Sequence, residues 1–165
     1  MYIYDKYFSE YNHNIAQILL TAPDLEDDVR YSNIKNTMTR LLELGVMPII
    51  NENDTVATDE IAVGDNDTLG SIVAVCMNAD ILVLLSDIDG LYSADPHTDP
   101  DATLISEIRE ITPEIEALGG GSNSGLGTGG MATKLSAATV AGIEMIETIK
   151  ASGAENGYFK KWSGY

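Results

Sequence analysis

Residues 125–134, Gly-Leu-Gly-Thr-Gly-Gly-Met-Ala-Thr-Lys, end a glycine-rich run and open a helical pattern. Glycines let successive backbone amides converge on an anion, a helix start adds partial positive charge, and Lys134 supplies a full one. That chemistry is phosphate binding. The run is not a Walker A loop, which requires Gly-Lys-Ser/Thr after four spacer residues. It does contain G-x-G-x-x-G, but a dinucleotide fingerprint needs a strand directly before it and an acidic residue about 20 positions later. Here residues 119–124 are Gly-Gly-Gly-Ser-Asn-Ser, and Glu144 and Glu147 come too early. A glycine run alone is ordinarily a flexible hinge; the Thr133-Lys134 end at a helix start argues against that.

A second chemical stretch, residues 51–67, holds six carboxylates, three asparagines and no Lys or Arg. It joins an apolar run at 46–50, fit for a short buried strand, to an apolar run of helical length at 69–77. Long polar connections inside a compact domain are uncommon and are usually functional or disordered. A solvated acidic loop would account for the composition. The position at a strand end, where open α/β folds place ligands, favours a site.

The third stretch is 86–96, Ser-Asp-Ile-Asp-Gly-Leu-Tyr-Ser-Ala-Asp-Pro, just past an apolar strand pattern at 80–86. Aligning Asp87, Asp89 and Gly90 to a calcium loop puts Leu85 and Pro96 at ligand positions, so that geometry fails. Turn chemistry explains Gly90 and Pro96. It leaves unexplained why Ser86 and Asp87 end so apolar a run.

Around these stretches the pattern alternates strand and helix. Tyr4, Tyr7, Phe8 and Tyr11 form one aromatic face of an N-terminal helix within 1–14, a packing stripe. Residues 15–20 make a strand, ended by 21–24. A helix from Asp27 turns Val29, Ile34, Met38, Leu41 and Leu42 inward and stops at Gly45. The strand at 46–50 contains Pro48, which lacks a ladder donor. Asp65 or Asn66 caps a helix running to about Asn78. The 80–86 strand shows no polar alternation, as for a strand covered on both faces. A short strand at 103–106 precedes a helix at 112–118 that begins Thr112-Pro113. A long amphipathic helix is expected over 131–152, then a loose tail. This rhythm predicts a largely parallel sheet.

The chain has 165 residues and 44% hydrophobic content, enough for one globular domain with a core. Its net charge of −17 argues against nucleic acid or an anionic membrane surface as a partner. Residues 41–108 contain no Lys or Arg, so phosphate held there needs a metal ion or cations from elsewhere. The lone Cys76 excludes an internal disulfide and sits in an apolar run, as a buried structural thiol does. His13 and His97 have no ligand-spaced neighbours, which argues against zinc and for surface positions. No apolar run reaches 18 residues and no signal peptide is visible, so a cytoplasmic protein is expected.

Taken together and in order, the motifs at 50–54 (Ile-Asn-Glu-Asn-Asp) and 64–67 (Gly-Asp-Asn-Asp), at 85–92 and 94–96, and at 125–134 resemble the amino acid kinase family. The resemblance runs over about residues 7–140, and its first motif points to the glutamate-phosphorylating branch. It implies an α/β fold, a three-layer αβα sandwich with a mainly parallel central sheet. The expected organisation is an incomplete kinase domain over 1–152 and a divergent tail over 153–165. The implied reaction is ATP-dependent, Mg²⁺-assisted phosphorylation of the γ-carboxylate of L-glutamate, the opening step of proline synthesis. Carried over by residue, Asp54 and Asn66 hold glutamate, with Asp54 suited to its ammonium group. Ser86 and Asp87 lie against the nucleotide, and Thr128, Gly129, Gly130, Met131, Ala132, Thr133 and Lys134 wrap its phosphates. Asp67 organises the catalytic lysines, and Lys134 neutralises charge on the transferring phosphoryl group; no protein metal ligand is implied.

The family's opening strand, with its lysine and glycine-rich turn, and the following loop with a substrate-touching serine are not found in these residues. The expectation is therefore a kinase truncated at its start, weakly active or inactive, whose open sheet edges favour a homo-oligomer. Three other readings stand beside it. A non-catalytic remnant would bind nucleotide or a partner without turnover, a different family member would act on another carboxylate or carbamate, and a dinucleotide binder would take NADH as tightly as ATP.

Overall fold

A computed structural model describes residues 1–57, 63–85, 90–96, 98–119 and 131–140, and the backbone of 146–147. The chain divides into two compact units, Met1–Asp80 and Ile81–Tyr165.

The first unit is built on a β-α-β crossover. Strand β1 (Asn14–Leu20) and strand β2 (Val46–Glu52) pair in parallel, in register from Asn14 opposite Val46 to Leu20 opposite Glu52. Asn53 extends the pairing by donating its N–H to the Leu20 carbonyl at 2.7 Å. Pro48 sits opposite Ala16; β1 is the one partner of β2 among the described residues, so its open side does not require the missing donor.

Helix α1 (Tyr2–Ser9) leads into β1 through a turn that holds Asn12 at φ +57°, a left-handed conformation asparagine tolerates. Its tyrosines do not pack as expected within the chain: Tyr2, Tyr4, Tyr7 and Tyr11 are all exposed. The crossover contains two helices. Thr21 and Asp24, expected only to end β1, form a capping box that starts α2 (Ala22–Glu26). The Asp24 carboxylate accepts from the Thr21 N–H at 2.9 Å and from its hydroxyl, and pairs with Arg30 at 2.9 Å.

Asp27 then caps α3 (Asp28–Glu43) through the Arg30 N–H, and Gly45 closes it at φ +69°, as the glycine there predicted. Met38 is the buried anchor of α3, with Ile34 and Leu41 half-buried. Val29 and Leu42, expected inward, point to solvent at 69% and 51% exposure. The inward stripe is narrower than the apolar pattern because α3 packs against a sheet of only two described strands and against α4.

Helix α4 (Asn66–Met77) begins at Asp65, whose carboxylate accepts from the N–H and the hydroxyl of Thr68, each at 2.8 Å. It ends at Asn78, as expected, with φ +51°. Leu69, Ser71 and Cys76 are buried, and the Ser71 hydroxyl is satisfied by the Thr68 carbonyl at 2.8 Å. The Cys76 thiol hydrogen-bonds the Tyr31 phenol, which raises the tyrosine pKa. Cys76 is thus a packed structural thiol.

In the second unit the expected strand at 80–86 is not a ladder strand in its described residues, 80–85. Ile81, Val83 and Leu85 are exposed while Leu82 and Leu84 are half-buried, so it is not covered on both faces. Order comes instead from an antiparallel excursion in which Tyr92 bridges Leu104. Ser93 donates to the Thr103 carbonyl at 2.9 Å and Ile105 to the Leu91 carbonyl at 2.8 Å. The strand expected at 103–106 is displaced to β3 (Glu107–Ile108), which pairs antiparallel with β4 (Ile146–Glu147). That pairing also corrects the expected helix over 131–152: α6 is Met131–Val140, and 146–147 are extended. Helix α5 (Pro113–Gly119) starts where Thr112-Pro113 predicted, with Thr112 accepting from the Ile115 N–H at 3.5 Å. Leu91, Ile108 and Leu135 form its core, lined by Ile105, Ile115 and Met131. His13 is exposed; His97 and the tail 153–165 lie outside the described residues.

Candidate active site

The base of the acidic loop is closed by one side chain. Glu52, the last residue of β2, accepts from the Val63 N–H at 2.7 Å and from the Gly64 N–H at 3.4 Å. The end of β2 and the approach to α4 are therefore held together across a ten-residue excursion, of which 58–62 lie outside the described residues. Asp54 is exposed in a turn just beyond β2, where Val56 and Ala57 donate to the Asn53 carbonyl at 3.1 and 3.0 Å. Asn66 and Asp67 are the first two residues of α4, Asn66 exposed and Asp67 half-buried. A helix start presents unpaired N–H groups and partial positive charge, so this end of the unit offers carboxylates, an amide and backbone donors side by side in sequence and fold.

Gly64 is what lets the chain make this approach. Its φ of +95° is closed to most side chains, and the residue leads directly into the Asp65 cap. The sequence reading counted Glu52 as one carboxylate among six and missed its structural role. A Glu at a strand end facing a glycine before a helix cap was the available signal.

In the second unit Met131, Ala132, Thr133 and Lys134 form the first turn of α6. Ala132 is exposed; Met131, Thr133 and Lys134 are half-buried. Met131 packs on the Leu91, Ile108 and Leu135 core, and α6 runs close against the end of α5 at Gly119. The helix start carrying Lys134 is thereby anchored. Ser86, Asp87, Thr128, Gly129 and Gly130 lie outside the described residues. Gly119 was read from sequence only as the first glycine of a run; its tight packing against α6 left no sequence signal.

Among the described residues no cluster of three or more His, Cys, Asp or Glu is arranged to hold a metal ion. No helix among them is long and apolar enough to cross a membrane.

The sequence matches the amino acid kinase family over residues 1–149. The chain belongs to the amino acid kinase family. Within it, the chain is 54% identical over 157 residues to a protein named glutamate 5-kinase from Moorella thermoacetica, covering 95% of this chain and 42% of that one. It is 52% identical over 157 residues to a glutamate 5-kinase of Clostridium perfringens, covering 93% and 58%. A glutamate 5-kinase of Listeria innocua is 54% identical over 143 residues, covering 84% and 52%. The chain spans about half the length of these amino acid kinase relatives.

Proposed function

We propose that the protein transfers the γ-phosphoryl group of ATP to the γ-carboxylate of L-glutamate, giving L-glutamyl 5-phosphate and ADP, the first step of proline biosynthesis in the cytoplasm. The observation that carries this is the 52–54% identity to glutamate 5-kinases over a stretch that includes all three motifs in order.

The chemistry asks little of a general base. A glutamate side chain has an ordinary pKa of about 4.3, so at neutral pH it is already the ionised nucleophile. One carboxylate oxygen bonds to the γ-phosphorus, and the bond to the bridging oxygen breaks with its electron pair leaving on ADP. Catalysis then consists of positioning and charge stabilisation. Asp54 pairs with the substrate ammonium, and Asn66 offers its side-chain amide to a substrate carboxylate. Thr128 to Lys134, with Ser86 and Asp87, hold the nucleotide, and the Lys134 ammonium offsets charge on the transferring group. Asp67 orients the catalytic cations.

Mg²⁺ fits this donor set. Nucleotide-borne Mg²⁺ takes most of its ligands from phosphates and water and needs only one or two carboxylates. It would supply the cationic charge absent from residues 41–108. The open edges of the β1–β2 pair favour a homo-oligomer.

The test is ADP release with L-glutamate, ATP and Mg²⁺, alongside trapping of the acyl phosphate by hydroxylamine. Glutamate-dependent ADP release with hydroxamate formation supports the proposal. ATP binding without turnover, lost in Lys134→Ala, would favour a non-catalytic nucleotide-binding role. Preference for another carboxylate or carbamate would move the chain to a different branch of the family.

A further inference from the structure

We infer that Glu52 is a positioning residue for the glutamate pocket, setting the spacing between the strand end that carries Asp54 and the helix start that carries Asn66 and Asp67. The inference rests on the function proposed above.

Three contacts carry it. Glu52 is in register with Leu20 at the last rung of the β1–β2 ladder, so its backbone is fixed by the sheet. Its carboxylate, half-buried, reaches the N–H groups of Val63 and Gly64 at 2.7 and 3.4 Å. Asp65 then fixes everything that follows through Thr68. The chain is thus pinned at three successive residues, 63 to 65, and Glu52 is the link from that pinned segment back to the sheet. Only an ionised carboxylate presents two equivalent acceptors to two adjacent amides; glutamine offers one acceptor and turns donors toward the other amide.

A loop tip free of this tie would keep its residues but not their spacing. Asp54 is two residues past Glu52 and Asn66 two past Gly64, so slack at the tie passes directly to both. Misplacement by about 1 Å in a positioned site costs up to about a hundredfold.

The experiment uses the full 165-residue chain and its Glu52→Ala and Glu52→Gln variants. L-glutamate and Mg²⁺-ATP are titrated separately by calorimetry, and amide hydrogen exchange is followed at Val63 and Gly64. The expected result is glutamate affinity weakened about tenfold to a hundredfold in Glu52→Ala, with ATP affinity and melting temperature held and both amides exchanging faster. Glu52→Gln is expected to fall between the parent and the alanine variant. Unchanged glutamate affinity in Glu52→Ala would overturn the inference while leaving the proposed function standing. A joint loss of both affinities with a collapsed melting temperature would overturn it too, since Glu52 would then be a general structural residue. Failure of the unsubstituted chain to bind glutamate would overturn the proposed function and this inference with it.

Discussion

Gly119→Ala places a single methyl group between the end of α5 and the helix start that bears Lys134. A Cβ at this position would lie 2.7 Å from Leu135 Cδ1 and 3.3 Å from both the Cα and the N of Ala132. The leucine contact is relieved only by rotating a side chain that is 4% exposed and packed on Leu91 and Ile108. The Ala132 contacts are to backbone, and they yield only by shifting the first turn of α6. Overpacking of this kind costs about 1–3 kcal/mol. Alanine's better helix propensity offsets at most about 1 kcal/mol, and less at the last residue of a helix. A net loss of about 1–2 kcal/mol follows, read as a melting temperature lower by roughly 2–8 °C. Leu135→Ala costs about 2–5 kcal/mol alone, but it removes the nearest clash, so the double variant is expected to show a coupling of about 0.5 kcal/mol or more. ATP affinity should fall in Gly119→Ala, because Lys134 stands two residues from Ala132, while glutamate affinity holds. Urea unfolding of the four proteins and calorimetric titration of each ligand supply the readouts. A Gly119→Ala chain as stable as its parent would refute the close-packing argument.

Three further outcomes are expected. Lys134→Ala should lower any glutamate-dependent ADP release by a factor of about 10³ or more, by analogy with loss of a charge-stabilising arginine in phosphoryl transfer, and a rate within a few fold of the parent would remove Lys134 from its assigned role. Met38→Ala, at a site 1% exposed, should cost about 2–5 kcal/mol in urea unfolding; a loss under about 1 kcal/mol would mean that α3 is not anchored there. Asp24→Ala should cost about 1 kcal/mol through loss of the capping box. The Thr21 hydroxyl chiefly, with Arg30, holds the Asp24 pKa below its ordinary value. A carboxyl lowered in the folded state contributes stability above its unfolded pKa of about 3.9 and loses it as pH falls through the folded value. The gap between parent and Asp24→Ala should therefore be full at neutral pH and close in acid below about pH 4, and a gap independent of pH would contradict the hydrogen-bonding account.

What could be read from the sequence was local and what could not was long-range. Gly45, Asp65, Asn78 and Thr112-Pro113 announced helix ends because caps are chosen by chemistry within three or four residues. The β1-α3-β2 crossover followed from apolar runs separated by a helical period. The 80–86 segment failed because an uninterrupted apolar run says that a segment prefers burial, not that partners exist to bury it. The long final helix failed for a related reason: helical periodicity after Val140 lost to pairing of Ile146 with Ile108, a contact 38 residues apart in the chain. In the candidate site Asp54, Asn66, Asp67 and Lys134 came from the family resemblance, and all four stand at element ends. Glu52 and Gly119 were passed over because one acts through amides eleven and twelve residues on and the other through the space it leaves empty.

The charge distribution of the acidic loop also bears on how the proposed site would choose its substrate. Residues 41–108 have no cationic side chain, so no substrate carboxylate can be met there by an ion pair from that stretch. What the described residues offer an anion is neutral or partial: the Asn66 amide and the unpaired N–H groups at the start of α4. What they offer a cation is stronger, since Asp54 lies in the same loop. A ligand with an ammonium group therefore gains a charge-assisted contact, worth roughly twice a neutral hydrogen bond. A dicarboxylate of the same length without the amine meets like charge instead. Discrimination for an amino acid over its deaminated analogue thus follows from leaving lysine and arginine out of the loop. Glu52 suits this arrangement because its own charge is committed to the Val63 and Gly64 amides and adds less repulsion than a free carboxylate would.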